Sequence, residues 1–195
     1  MPTEISGSTG VNKIQDGTVV NADIASNAAI VSTKLSPASG EVVQVQSVSP
    51  NTGFVEMSTA SWTEVHSSLR VSITPKYANS VFIVEALFNF GGHYDSNITH
   101  FKIYDITNSS DINLDTASNR QGVHGTARQH DNDLNDCDQM YVSVRTSYSN
   151  TNAITFGLYA KNESGTSAKN FFAHASDSSN LAYVKPILKV TEYKS

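Results

Sequence analysis

The amino-acid sequence predicts an all-β protein, an antiparallel sandwich or jelly roll, from three observations. Residues 80–90 are almost continuously apolar, β-branched or aromatic, which is typical of a strand buried on both faces. Shorter runs of alternating apolar and polar residues recur at near-regular spacing, separated by turn residues. No stretch shows sustained helical periodicity, and the abundant Ser, Thr and Asn side chains compete with helical backbone hydrogen bonds. The chain of 195 residues is long enough for one such domain and an arm.

The first 40 residues differ in composition from the rest, because they contain no aromatic residue and only isolated aliphatic ones. These aliphatic side chains are too widely spaced to form a core within one chain. A disordered tail is one interpretation of such a composition. We expect instead that the arm docks on a neighbouring protein or intertwines with other copies. The expected anchoring residues are Val11, Ile14, Val19, Val20, Ile24, Ile30 and Leu35.

Two phrases within this arm resemble a known family. Residues 10–24 read GVNKIQDGTVVNADI, and residues 28–36 read AAIVSTKLS. Together they resemble the N-terminal segment of fibre-type proteins of tailed bacteriophages, marine and cyanobacterial ones especially. The resemblance covers about a fifth of the chain. It implies a virion protein, made in the host cytoplasm, whose N-terminal part attaches to the particle or forms a short shaft while the C-terminal domain projects outward.

The segment 37–40 is interpreted as a hinge, after which residues 41–195 form the β domain. Pro186 interrupts the last predicted strand, which indicates a bulge or an edge position. The predicted strands are 41–48, 54–65, 69–74, 80–90, 100–106, 140–146, 153–161, 171–175 and 181–193.

The order of these runs resembles the trimeric jelly rolls of the tumour-necrosis-factor and complement-C1q type, over about residues 41–195. In that family the last strand returns to the inner sheet. The resemblance implies a homotrimer in which aromatic residues of the inner sheet pack about a threefold axis, although each ring taken alone also fits an ordinary core. The expected interface residues are Phe82, Phe88, Phe90, Tyr104, Tyr159 and Tyr183.

A long loop over residues 117–139 is the least regular part of the domain, and loops of this length are usually functional or mobile. Its His, Arg, Asn and Gln side chains suit hydrogen bonding to a sugar, so one hypothesis is a tip that contacts a host-surface glycan or protein. A solvated loop or a contact with a neighbouring virion subunit is the alternative. The candidate receptor residues are Arg120, His124, Arg128, His130, Asp131 and Asp133.

The acidic residues of this loop also raise the question of a metal site. The side chains that could surround Ca²⁺ are those of Asp131, Asp133, Asn135, Asp136 and Asp138. This is not an EF-hand, because Asp136 stands where that loop needs glycine and Val142 stands where it needs a carboxylate. An irregular calcium site therefore stays open. The spacing of the histidines and the single cysteine, Cys137, argue against a zinc site. We expect no dedicated metal and no cofactor.

Several classes of function are disfavoured. The net charge of −5 provides no basic face for nucleic acid, and no apolar run approaches the roughly 20 residues of a membrane span. Residues 1–10 lack the pattern of a signal peptide. No nucleophile elbow, phosphate loop or dinucleotide fingerprint is present. We therefore expect a non-enzymatic virion protein, a tail fibre, knob or capsid decoration; an architectural cement and a glycan-processing enzyme of the particle are the alternatives.

Overall fold

The computed structural model describes residues 36–53, 55–92, 98–114, 122–128, 137–163, 169–171 and 185–195. Every regular element in these ranges is a β-strand, so the predicted all-β class is confirmed. The anchoring residues of the arm and Tyr183 lie outside the described residues. The strands are, in chain order, β1 (Val42–Val48), β2 (Val55–Met57), β3 (Thr63–Glu64), β4 (Arg70–Ile73), β5 (Val81–Gly92), β6 (Ile98–Asp105), β7 (Ser110–Asp111), β8 (Gly125–Arg128), β9 (Cys137–Ser147), β10 (Ile154–Asn162), β11 (Lys169–Phe171) and β12 (Ile187–Tyr193).

The strands form two antiparallel sheets. Sheet I has the order β1-β12-β5-β9, and β11 and β2 continue it beside the far end of β5. In sheet II, β3 and β4 pair with one edge of β10, β6 pairs with the other edge, and β7 and β8 pair with β6. If β2 and β11 are left out and β3–β4 and β7–β8 are each counted as one interrupted strand, eight strands remain, and in chain-order numbers the sheets read 1-8-3-6 and 2-7-4-5. This wrapping of two Greek keys is a jelly roll, as predicted.

The core lies between the sheets and is built on alternation along β5. Its even-numbered residues point inward and are buried, whereas its odd-numbered residues are half-buried on the outer face of sheet I. Phe88 and Phe90 both make edge-to-face contacts with Phe101 of sheet II, with ring centroids 5.3 and 5.1 Å apart. Phe82 packs in the same way on Tyr148 at 5.8 Å. The predicted run of apolar residues is therefore the central strand of the sandwich.

This placement corrects part of the expected trimer interface. Phe82, Phe88 and Phe90 are at most 1% exposed within a single chain. A second copy has no access to them, because the rings are already covered by the facing sheet. They are core residues, and any surface for self-association must come from the opposite face of β5.

Both ends of the domain are tied together. The N–H of Gly40 donates to the carbonyl of Lys194 at 2.7 Å, and the N–H of Lys194 donates to the carbonyl of Glu41 at 3.1 Å. The compact unit accordingly runs from Pro37 to Ser195, and the segment expected to be a hinge continues the pairing of β1 with β12. The predicted bulge or edge position at Pro186 is wrong. Pro186 precedes the first paired residue of β12, and β12 lies between β1 and β5.

A buried carboxylate closes one end of the sandwich. Glu192 of β12 is fully buried and accepts hydrogen bonds from the Ser80 hydroxyl at 2.6 Å and from the Gln44 amide at 2.6 Å. The backbone N–H groups of Lys76 and Tyr77 also donate to it, at 2.8 and 3.3 Å. One side chain thus connects β1, β12 and the turn that precedes β5.

We expect Glu192→Ala to lower the free energy of unfolding by about 2–4 kcal/mol, because it leaves several buried donors without an acceptor. Urea titration followed by Trp62 fluorescence measures this loss. Glu56→Ala, which removes an exposed carboxylate from β2, is the matched control and should change the value by less than about 0.5 kcal/mol. Equal losses in the two variants would show that the network does not stabilise the fold.

Candidate functional site

The outer face of sheet II carries an unusual set of side chains. Alternation along β6 sends Phe101 and Ile103 into the core and leaves His100, Lys102 and Tyr104 on the outer face. On β10, Tyr159 lies opposite Lys102, and Lys161 lies opposite His100. These five outward residues form two adjacent columns in which aromatic rings and positive charges are mixed.

Trp62 lies one residue before β3, and its ring packs against the two lysines of these columns. With Lys102, Tyr104, Ile106, Ser109 and Tyr159 it lines a cleft of about 330 Å³, which we call the Trp62 cleft. The rings of Tyr104 and Tyr159 contact each other at a tilt of 45°, with their centroids 4.7 Å apart. The Lys102 ammonium lies 4.5 Å from the centroid of Trp62 and 4.8 Å from that of Tyr104, so it is held between two aromatic faces.

The two lysines of this site are buried to an extent that is rare for lysine. Lys102 is 4% exposed and forms an ion pair with Asp111, whose side chain is half-exposed on β7. Lys161 is 8% exposed, and its ammonium lies 5.2 Å from the Trp62 centroid. Desolvation lowers the pKa of Lys161, and the nearby charge of Lys102 lowers it further. Within the described ranges no carboxylate forms an ion pair with Lys161.

Arg70 and Glu64, which lie near the cleft on the same outer face, are hydrogen-bonded to each other. Arg70 donates two hydrogen bonds of 2.6 Å to Glu64, which lies opposite Tyr159. That bidentate pair raises the pKa of Arg70. His100 differs, because its Nδ1 is buried and finds no hydrogen-bond partner among the described residues. Burial, and then the charge of Lys161, lower the pKa of His100, while the charge of Glu163 opposes them.

One glycine shapes the floor of the cleft. Gly157 of β10 lies on the outer face between Arg70 and Tyr104. A Cβ at this position would come within 2.8 Å of the Ile106 side chain, which lines the cleft. Glycine therefore lets Ile106 fold over the sheet at this point.

The structure separates the residues that the sequence grouped as one interface. Tyr104 and Tyr159 do contact each other, but they lie on sheet II, whereas the last strand belongs to sheet I. Trp62, Lys102 and Lys161 were not predicted as site residues. The alternation of His100, Lys102 and Tyr104 within an apolar run was the available signal, since charged residues in that pattern indicate a face that is not core.

The expected receptor loop is described only in part. Arg120, His130, Asp131 and Asp133 lie outside the described residues. Of the possible calcium cluster only Asp138 is described, and it is exposed on β9 opposite Phe90. Arg128 ends β8, where its backbone lies opposite Ile98. His124 has a structural role, which corrects its assignment as a receptor residue. Its Nδ1 accepts from the N–H of Ile103 at 2.9 Å, and its Nε2 donates to the carbonyl of Ile112 at 2.7 Å. The ring thereby fills the gap between β7 and β8 along the edge of β6.

The outer face of sheet I has a different character. Among the described residues, all four large hydrophobic side chains that are strongly exposed lie on its strands: Val42, Val45, Tyr141 and Ile187. Ile187, Leu87 and Tyr141 form a row across β12, β5 and β9, in which Tyr141 is 58% exposed. The next row contains an ion pair of 2.6 Å between Lys189 and Glu85, and the Tyr141 hydroxyl also donates to Glu85.

In the described ranges, no group of three or more His, Cys, Asp or Glu side chains is arranged to hold a metal ion. The same ranges contain no helix long and apolar enough to cross a membrane.

Comparisons with known proteins concern the fold alone. No protein-family model matches the sequence. No curated protein sequence matches it either. Three solved structures are similar in chain path. The Eiger TNF structure from S. frugiperda has a TM-score of 0.40 and 8% identity, with 77% of this chain and 92% of that chain covered. The CBM22-1 xylan-binding domain of Paenibacillus barcinonensis Xyn10C has a TM-score of 0.31 and 8% identity, covering 82% and 99%. The infectious bursal disease virus Gx strain structure has a TM-score of 0.33 and 11% identity, covering 80% and 37%.

The bridging role of His124 predicts a pH-dependent stability. Desolvation lowers the pKa of His124 from its ordinary value of 6.5, against the opposing hydrogen bond to Ile112. The unfolded chain then binds the proton more readily, so this stabilisation is fully present above about pH 6.5 and is lost as the pH falls below it. His100 acts in the same direction, because its pKa is lowered too.

We expect His124→Gln to flatten the loss of unfolding free energy between about pH 8 and pH 5.5, whatever its effect at pH 8. Urea titrations at the two pH values measure the difference for the wild type and the variant. His100→Gln, which leaves the His124 bridge in place, should keep the part of the slope that His124 causes. A slope unchanged in His124→Gln would contradict the assigned role.

Proposed function

We propose that this chain is a non-enzymatic structural protein of a tailed-phage particle that works as a homotrimer. In this proposal residues 1–40 attach the protein to the virion. The jelly roll projects as a fibre, knob or surface decoration and presents its free surface to the host. The arm phrases at residues 10–24 and 28–36 support the phage origin. The observation that carries the trimer is the apolar outer face of sheet I.

That face has the features of an interface between proteins. The exposed apolar side chains gather on one sheet, and monomers rarely leave a contiguous apolar patch in water. Beyond the row of Glu85 and Lys189, Val45 and Val42 of β1 form a second apolar group, and Ile83 and Val81 lie half-buried in the same rows. Removing apolar surface of this kind from water stabilises an assembly by about 25 cal/mol per Å².

The polar centre of this face is already neutralised. Burial tends to raise the pKa of Glu85, but hydrogen bonds from Lys189 and Tyr141 outweigh that effect and lower it. The hydrogen bond with Glu85 raises the pKa of Lys189 in turn. A pair that is satisfied within one chain can be covered by a neighbouring copy without leaving an unpaired charge. The Glu85–Lys189 pair is therefore compatible with burial between subunits.

The number of copies follows from the resemblance to trimeric jelly rolls. In that family the last strand lies in the sheet that faces the threefold axis, and β12 lies in sheet I of this protein. Three arms with sparse aliphatic side chains would also be able to bury them against one another. Three projecting domains would strengthen weak individual contacts with a host through effective concentration.

We expect the wild-type chain to elute as a stable trimer and Ile187→Glu to elute as a folded monomer, because the new carboxylate would be buried without a partner. Size-exclusion chromatography with light scattering measures both masses. Thr126→Glu adds the same charge to the outer face of sheet II and should leave the trimer intact. A wild-type protein that is monomeric at all accessible concentrations would overturn the proposed assembly.

The virion role has a separate test. In phage particles whose genome encodes this chain, antibody labelling and electron microscopy should find the jelly roll on the particle surface. Deletion of residues 1–36 should remove the label and leave the compact unit of Pro37–Ser195 folded in solution. Purified particles that carry no label with the full-length chain would contradict the proposal. A label on the capsid lattice would favour architectural cement, and one on the tail would favour adsorption.

A further inference from the structure

One positive charge beside the Trp62 cleft, that of Lys161, has no paired carboxylate among the described residues. Asp111 pairs with Lys102, and Glu64 pairs with Arg70. Glu163 is exposed and acts on His100. No described carboxylate lies within ion-pair distance of Lys161, although its ammonium is held against Trp62 and close to a second lysine. Burying such a charge opposes folding, so its presence beside a cleft points to an anionic ligand.

The residues that line the cleft indicate the chemical class of that ligand. Three aromatic rings, those of Trp62, Tyr104 and Tyr159, provide flat apolar surface, while the exposed Ser109 provides a hydrogen-bonding hydroxyl group at the rim. A volume of about 330 Å³ lies at the lower end of the range for small-molecule sites. A free inorganic anion would leave the aromatic surface uncovered. A sugar ring has an apolar C–H face that fits it and hydroxyl groups that reach the rim.

We propose that the Trp62 cleft binds a carboxylate-bearing sugar, such as a uronic acid unit of an acidic polysaccharide. The C–H face of the ring lies on the aromatic wall, and the carboxylate extends past Trp62 to the ammonium of Lys161. Lys161 does not line the cleft but lies beside it, with its ammonium 5.2 Å from the Trp62 centroid. This inference goes beyond self-assembly and does not depend on it, because the cleft lies on the sheet opposite the proposed interface. It also differs from the receptor-loop hypothesis, since the residues that bind belong to strands and to the residue before β3.

The location of Lys161 makes its substitution informative. Replacement by Met keeps the unbranched stem and removes a desolvated charge whose pKa is already lowered by burial. Removing an unpaired charge from a buried position relieves the cost of its desolvation. Lys161→Met should therefore melt at the same temperature as the wild type or higher, while it loses the ligand. A merely structural lysine would not show this opposite change in stability and binding.

The test uses the full-length protein and its single tryptophan, which lines the cleft and reports occupancy by fluorescence. Trigalacturonate is the probe, a neutral trisaccharide of galactose is the matched neutral ligand, and sodium phosphate at equal ionic strength is the control for simple anion binding. We expect saturable quenching by trigalacturonate alone, weakened by added salt. Lys161→Met should weaken binding about tenfold or more, the loss typical of a charge-assisted hydrogen bond. Lys76→Met, which removes an exposed charge from the turn before β5, should bind as the wild type does.

Three results would overturn the inference: no saturable response to trigalacturonate at millimolar concentration, an equal response to the neutral sugar or to phosphate, or unchanged binding by Lys161→Met. If Lys161→Met failed to fold, Tyr159→Ile would replace it and should also weaken trigalacturonate binding, because it removes one ring of the contacting aromatic pair. A negative binding result does not affect the light-scattering test of the trimer. A monomeric protein that still binds trigalacturonate would refute the trimer and leave the inference about the Trp62 cleft standing.

Discussion

The double pairing of β5 is the constraint on which the rest of the structure depends. With β12 on one edge and β9 on the other, this strand cannot rotate or slip, because a shift by one residue would exchange its two faces. The alternation of inward and outward side chains along β5 puts Phe82, Phe88 and Phe90 in the core. The same alternation places Ile83, Glu85 and Leu87 on the outer face. The strand register then determines which residues of β12 and β9 lie beside them. Sheet II is positioned in turn by Phe101, which receives two of the phenylalanine rings.

In the part of the chain that the structure describes, buried charge is paired on the outer face of sheet I and partly unpaired on the outer face of sheet II. On sheet I, Glu85 and Lys189 neutralise each other at 2.6 Å within an apolar surface, which suits a face that another protein covers. On sheet II, Lys161 is desolvated beside Lys102 without such a partner among the described residues, which suits a face that takes a charged ligand. A satisfied ion pair contributes little to specificity, whereas an unsatisfied buried charge strongly selects the sign of whatever enters.

The fold was predictable because its signals are local. The long apolar run, the alternating strands and the missing helical period each follow from side chains that are near in sequence. The outward face of β5 was not predictable, because Phe82 and Ile83 are both apolar, and a run without alternation does not reveal whether its even-numbered or its odd-numbered residues face inward. Lys102 and Lys161 contradict the general exposure of lysine, and only the tertiary position of Trp62 makes them a site. The hydrogen bonds of His124 with Ile103 and Ile112 are likewise tertiary, so composition suggested a receptor residue at a position where the structure has a bridging side chain.

Placing assembly and binding on opposite sheets has a consequence for avidity. If three copies meet through the outer faces of sheet I, each Trp62 cleft remains on the outside of the assembly, since its residues belong to sheet II. A cleft that holds one sugar unit through one charge and one aromatic wall binds weakly by itself. Three such clefts on one rigid body act on a polysaccharide, which repeats its units, at an effective concentration set by their spacing. Weak single contacts then give firm attachment to a repeating surface while each contact still exchanges rapidly.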